Sequence, residues 1–183
     1  LESKPTANVS WLFDHVVSAA YAAGGEYGLT IFKALIAGLI AYFLSLISVP
    51  GMPTWWSSIC CVLAIGACSV DFVPVTDLAT LLGVTLALLL LHSYAEGRAS
   101  GIAWKLPVLI AVWGNLDPQA YMGVIAVALF SLGLMIRKSF ATKEGDAAGP
   151  DAATMWKATA ACVIALAINP APLSSLMSVV TTY

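Results

Sequence analysis

Between Leu29 and Val49 the chain carries twenty-one consecutive residues in which Lys33 is the only charged side chain. A helix needs about 20 predominantly apolar residues to cross the hydrocarbon core of a bilayer. Within lipid every backbone N–H and C=O must be satisfied internally, so a lone apolar run of this length can cross only as a helix. Lys33 stands about one turn inside the run, from where its amine can reach outward along its own aliphatic stem.

The same pattern recurs. Apolar runs cover residues 55–70, 78–92, 102–114, 119–136 and 152–169. The segments between them are breakers: Pro50-Gly51-Met52-Pro53, the acidic turn Asp71–Asp77 with Pro74, the loop 93–101, Asn115-Leu116-Asp117-Pro118, the polar linker 139–151, and Asn169-Pro170. The chain therefore reads as all-α and transmembrane, with about six spans. Several runs are shorter than a perpendicular helix requires, which tilt or local thinning of the bilayer accommodates. Five spans result if residues 102–136 form a re-entrant pair.

Ahead of the first span, residues 1–9 read as a tail. Ser10 is placed to cap a short helix over 11–23, which Gly24-Gly25 ends. That helix is too short to cross and fits an interfacial position with Trp11 at headgroup level. The organisation expected is an exterior tail and interfacial helix over 1–28, a transmembrane bundle over 29–169, and an exterior tail over 170–183. Residue 1 is Leu and no signal-peptide pattern opens the chain, which reads as a processed product or part of something longer.

Composition agrees. Of 183 residues, 60% are hydrophobic and 10% charged, and mean hydropathy is +0.91; ordinary soluble domains are about 45–50% apolar and about 25% charged. Disorder, collagen-like repeats and a typical soluble enzyme are excluded. A net charge of −2 without a basic run removes the electrostatic basis for binding nucleic acid. Cys60, Cys61, Cys68 and Cys162 all lie in apolar runs without metal or redox spacing. No phosphate-loop, zinc-protease or nucleophile-elbow motif is present, so no metal is expected, and the sequence names no cofactor.

Threading six spans gathers Arg98, Lys105, Arg137, Lys138, Lys143 and Lys157 on one side, against Lys4 and Lys33 on the other. By the positive-inside rule the loops 93–101 and 137–151 are cytoplasmic and the N-terminus is exterior. The exterior face then collects Asp14, His15, Glu26, Asp71, Asp77, Asn115, Asp117, Gln119 and Asn169. Ionisable groups near membrane depth are candidate functional groups, and Asp14, His15, Asp71, Asp77, Asn115 and Asp117 form the candidate substrate-binding set. The competing explanation is local: Asp77 and Asp151 stand where N-caps belong, and Asn-Leu-Asp-Pro also makes a turn. His15 and His92 fall on opposite sides and are poorly placed to ligate one haem or metal. Asn8-Val9-Ser10 matches a glycosylation sequon.

The segments Ser10-Trp11-Leu12-Phe13-Asp14, Gly24-Gly25 to Lys33-Ala34-Leu35, Leu106-Pro107 through Trp113-Gly114-Asn115-Leu116-Asp117, and Asn169-Pro170 resemble a group of bacterial polytopic membrane proteins similar to the GT-C class of lipid-linked-sugar glycosyltransferases. Members of that group often carry Trp-Ala-Asn-Leu-His or Trp-Ala-Asn-Leu-Asp at the position of Asn115. The resemblance implies a bacterial inner-membrane location, a lipid-phosphate sugar donor and an exterior binding pocket. In that class the catalytic acid lies in the first exterior loop. The matching region would precede residue 1, so no catalytic residue is carried onto this chain. An Arg-Pro pair usual near residues 71–77 is replaced by Val73-Pro74. Two functional readings stay open: the transmembrane core of a GT-C-like glycosyltransferase, and a non-catalytic accessory subunit packing against other membrane subunits in a larger complex.

Overall fold

The computed structural model describes residues 10–47, 53, 55, 59, 75–140 and 151–168. Among them every regular element is helical. In chain order these are α1 (Trp11–Ser45), α2 (Val75–Ala95), α3 (Ile102–Leu116), a 3-10 turn (Pro118–Ala120), α4 (Tyr121–Phe140) and α5 (Ala152–Leu166). Apart from residues 55 and 59, the expected span over 55–70 lies outside the described residues, as do Asp71, residue 169 and the tail 170–183.

The backbone of α1 is interrupted where the sequence places a stop. Gly24 and Gly25 leave helical geometry, with Gly25 at φ 57° and ψ −137°, a region essentially restricted to glycine. Past the break the chain bends so closely that a Cβ on Gly28 would collide with the Ala20 carbonyl. Ser10 precedes the helix but its side chain makes no capping bond, contrary to the expectation above. Its carbonyl accepts from the Asp14 N–H at 3.0 Å.

Three helical stretches are long and apolar enough to cross a membrane: Trp11–Ser45, Leu78–Ala95 and Pro118–Phe140. In the most apolar 18-residue window of the first, only 11% is buried within the protein. Tyr27, Ile31, Leu35, Leu39 and Tyr42 of α1, and Ile125 and Leu129 of α4, all point outward. An exterior of this kind is a liability in water and the expected surface in lipid. Helices α3 and α5 have 15 residues each, about 22 Å of rise, and fall short of that length. Against the expected six spans, the described residues hold three helices of spanning length and two shorter apolar ones.

Other boundaries shift by a turn. Helix α2 continues past His92 to Ala95, and α4 runs through Arg137 and Lys138 to Phe140. Cations in a last turn face the negative end of the helix dipole, which favours prolonging α4 into the expected loop.

Helix α3 is the centre of the bundle. It packs most extensively on α5 and next on α2. Leu106 and Ile110 are fully buried, with Met155, Ala158 and Cys162 of α5 buried in the same way. Trp113 supplies the largest buried side chain. Its indole lies against the backbones of both α2 and α4, because Gly83 and Gly123 present no side chain there. A smaller core joins Ile36 and Ile40 of α1 to Leu78 of α2. Between α4 and α5, the buried hydroxyls of Ser131 and Thr159 meet at 3.0 Å, a polar contact of the kind that holds membrane helices together.

Substituting Gly83 or Gly123 by Ala would drive a methyl into Trp113, at a cost of about 1–3 kcal/mol. Gly133→Ala meets nothing within 4 Å and gains up to about 1 kcal/mol of helix propensity. Unfolding of the three variants in detergent should move in opposite directions; a uniform response would refute the tight packing at Trp113.

Candidate functional site

The segment that closes α3 builds the most concentrated polar site. Helical geometry stops at Leu116 because Asp117 is extended (φ −152°, ψ 133°), as a residue preceding proline prefers to be. Asp117 then caps the 3-10 turn: its Oδ1 accepts from the Gln119 N–H at 3.1 Å. Its N–H donates to the Trp113 carbonyl at 2.8 Å. The side chain is not at the surface. Asp117 is 1% exposed, and its Oδ2 accepts the hydroxyl hydrogen of buried Thr80, on the first turns of α2. A carboxyl group removed from solvent is tolerated only when its oxygens are hydrogen-bonded in this way.

Two residues earlier, Asn115 is also engaged on both sides of its amide. Nδ2 donates to the Ala111 carbonyl at 2.8 Å, and Oδ1 accepts from the Trp11 indole N–H at 3.0 Å. The Trp11 carbonyl in turn accepts from His15 Nδ1 at 2.8 Å. That contact requires the proton on Nδ1, so the neutral ring keeps its lone pair on Nε2. The two rings stand edge to face, 5.9 Å apart. The outcome is a latch at one end of the bundle, joining α1 to α3 through Trp11 and Asn115, and α3 to α2 through Asp117 and Thr80.

Of the candidate residues, the structure brings His15, Asn115 and Asp117 into this latch. Asp14 lies on the same turn of α1 and is exposed. Asp77 stands inside the helical backbone that begins at Val75, so it is not the N-cap of that helix. Asp71 and Asn169 lie outside the described residues, and Glu26 lies just past the α1 break, exposed. Thr80 was not among the candidates; its only sequence signal is a hydroxyl within an apolar run. Trp11 was read as an interfacial ring and turns out also to be a donor.

The opposite end carries different chemistry. The Tyr94 hydroxyl accepts from the Asp151 N–H at 3.1 Å and lies 3.3 Å from the Asp151 carbonyl, tying the end of α2 to the start of α5. Asp151 is the N-cap expected of it, accepting from the Ala153 and Thr154 N–H groups at 3.1 and 3.0 Å and from the Thr154 hydroxyl at 2.7 Å. The Thr154 hydroxyl, then these N–H groups, hold its carboxyl below the ordinary value of 3.8. Glu96 pairs with Arg98 and lies 3.2 Å from His92 Nε2. His92 and His15 thus sit at opposite ends. Among the described residues no group of three or more His, Cys, Asp or Glu is arranged to hold a metal.

Comparison with protein-family models, curated proteins and solved structures found no match.

Thr80→Val removes the hydroxyl donor while keeping the side-chain shape, leaving Asp117 Oδ2 short of a bond. The expected loss is about 1–3 kcal/mol in detergent unfolding; unchanged stability would remove the latch from the structural account. Asp151 contributes in full above its unfolded value near 3.8, and that contribution disappears as pH falls through its lower folded value. Asp151→Ala should therefore flatten the acid limb of the stability–pH profile, and a limb identical to the parent's would contradict the cap.

Proposed function

We propose that this chain is an integral membrane protein of about six spans that serves as a non-catalytic structural subunit of a larger membrane assembly. One observation carries the reading. Asn115 and Asp117, the two polar side chains nearest the centre of the candidate site, are committed to hydrogen bonds within the protein. A carboxylate that accepts bonds from Thr80 and Gln119 is suited to fixing helices rather than to abstracting a proton. The broad apolar exterior of α1 and α4 suits packing against other membrane helices as well as lipid. The orientation consistent with the basic residues puts the latch on the exterior side of a bacterial inner membrane and the Tyr94–Asp151 end in the cytoplasm.

A second reading, a GT-C-like core that binds a lipid-phosphate sugar, draws support from His15. It is exposed beside the Asn115 contact, and its Nε2 is left on the side of the ring away from the bond that Nδ1 makes. Solubilisation from native membranes separates the two. The structural reading expects recovery with other membrane proteins in fixed stoichiometry, and the same assembly from a His15→Ala variant. Recovery as a monomer that transfers sugar from a radiolabelled lipid-phosphate donor, with loss of transfer on His15→Ala, would overturn it in favour of the second.

A further inference from the structure

The dipeptide Trp-Lys occurs twice, as Trp104-Lys105 and Trp156-Lys157. Each lies within the first two turns of a helix, α3 and α5 respectively. These two helices run side by side in the same direction. The Gly114 position lies 3.5 Å, measured from an added Cβ, from the Leu166 side chain at their far ends. Their starts share one end of the bundle, the end where Tyr94 holds Asp151.

Both tryptophans face outward, Trp104 at 62% and Trp156 at 44% exposure. The Lys105 amine lies 5.8 Å from the Trp104 ring centre, within cation–π range, and Lys157 is exposed. No described carboxylate forms an ion pair with either lysine. Glu96 is taken by Arg98 and approached by His92, and Asp151 is turned onto its own helix. Indoles settle at the boundary between acyl chains and headgroups, and a lysine beside one carries its charge to phosphate level.

We propose that the paired starts of α3 and α5 form a binding site for the headgroup of an anionic phospholipid, with Lys105 and Lys157 meeting the phosphate charge and Trp104 and Trp156 bracketing the glycerol and upper acyl region. Charge complementarity selects this occupant: two cations that pair with no carboxylate among the described residues stand beside two interfacial rings. The proposal rests on the membrane reading above and adds a lipid class and a place.

The test reconstitutes the chain in nanodiscs of phosphatidylcholine alone and of phosphatidylcholine mixed equally with phosphatidylglycerol. Retained lipid is counted by native mass spectrometry, and the unfolding midpoint is followed in each. Phosphatidylglycerol should be retained preferentially and should raise the midpoint. A basic side chain near the surface is worth about fivefold in affinity for anionic lipid, so the K105Q/K157Q variant should lose on the order of 25-fold. Its midpoint in phosphatidylcholine alone should match the parent's. The K105R/K157R variant should keep the lipid, which guards against a mere folding defect. R137Q/K138Q removes the same charge from the end of α4 and should also keep it. Equal retention of the two lipids, or equal loss in both charge-removing variants, overturns the site. Failure of the parent to enter phosphatidylcholine nanodiscs at all overturns the membrane reading with it.

Discussion

Three helices can approach one another at the centre of this protein because Trp113 meets glycine on both sides. Any side chain at Gly83 or Gly123 would occupy space that the indole already fills. In lipid there is little hydrophobic drive to bring helices together, so close backbone approach and dispersion contacts carry that role. The indole of α3 lies against the glycines of α2 and α4, Ile110 also reaches Gly123 of α4, and Leu106 shares its core with Met155, Cys162 and Ala165 of α5. A short helix can therefore organise longer neighbours.

The polar latch builds on that arrangement. Once Trp113 sets the distance between α2 and α3, Thr80 falls within reach of Asp117, and the end of α3 falls within reach of Trp11. For Asp117, buried to 1% exposure, these bonds replace the water that burial removes, while the Asn115 amide meets an exposed indole on one side and its own helix on the other. The same economy governs the other end, where one tyrosine hydroxyl bonds to the backbone of Asp151. The two ends differ in character. One buries Asp117 and Thr80 beside an exposed Trp11 and His15; the other displays lysines and tryptophans at its edge.

Much of the helical layout was legible in the sequence. Apolar runs and breakers located α2 to α5 to within a few residues, because lipid permits so few backbone solutions for such runs. Gly24-Gly25 marked the break in α1, since the backbone angles there belong to glycine. Asp151 was legible as a cap because its partners lie within three residues. Where expectation failed, it failed at helix ends. Ser10 left its cap unmade, Asp77 was absorbed into a helix starting earlier, and cations in the last turn carried α4 into the expected loop.

The latch was only half legible. Asn115 and Asp117 stood out as polar groups between apolar runs, but nothing near them in the chain named their partners. Thr80 lies 37 residues from Asp117, and Trp11 lies 104 from Asn115. By itself the sequence determined that this chain is helical and apolar on its outside, because backbone hydrogen bonding and hydropathy act over neighbouring residues. Only the tertiary structure decided which polar groups are used up inside the bundle and which remain at its surface, because that depends on helix faces meeting at distances set by Trp113 and its two glycines.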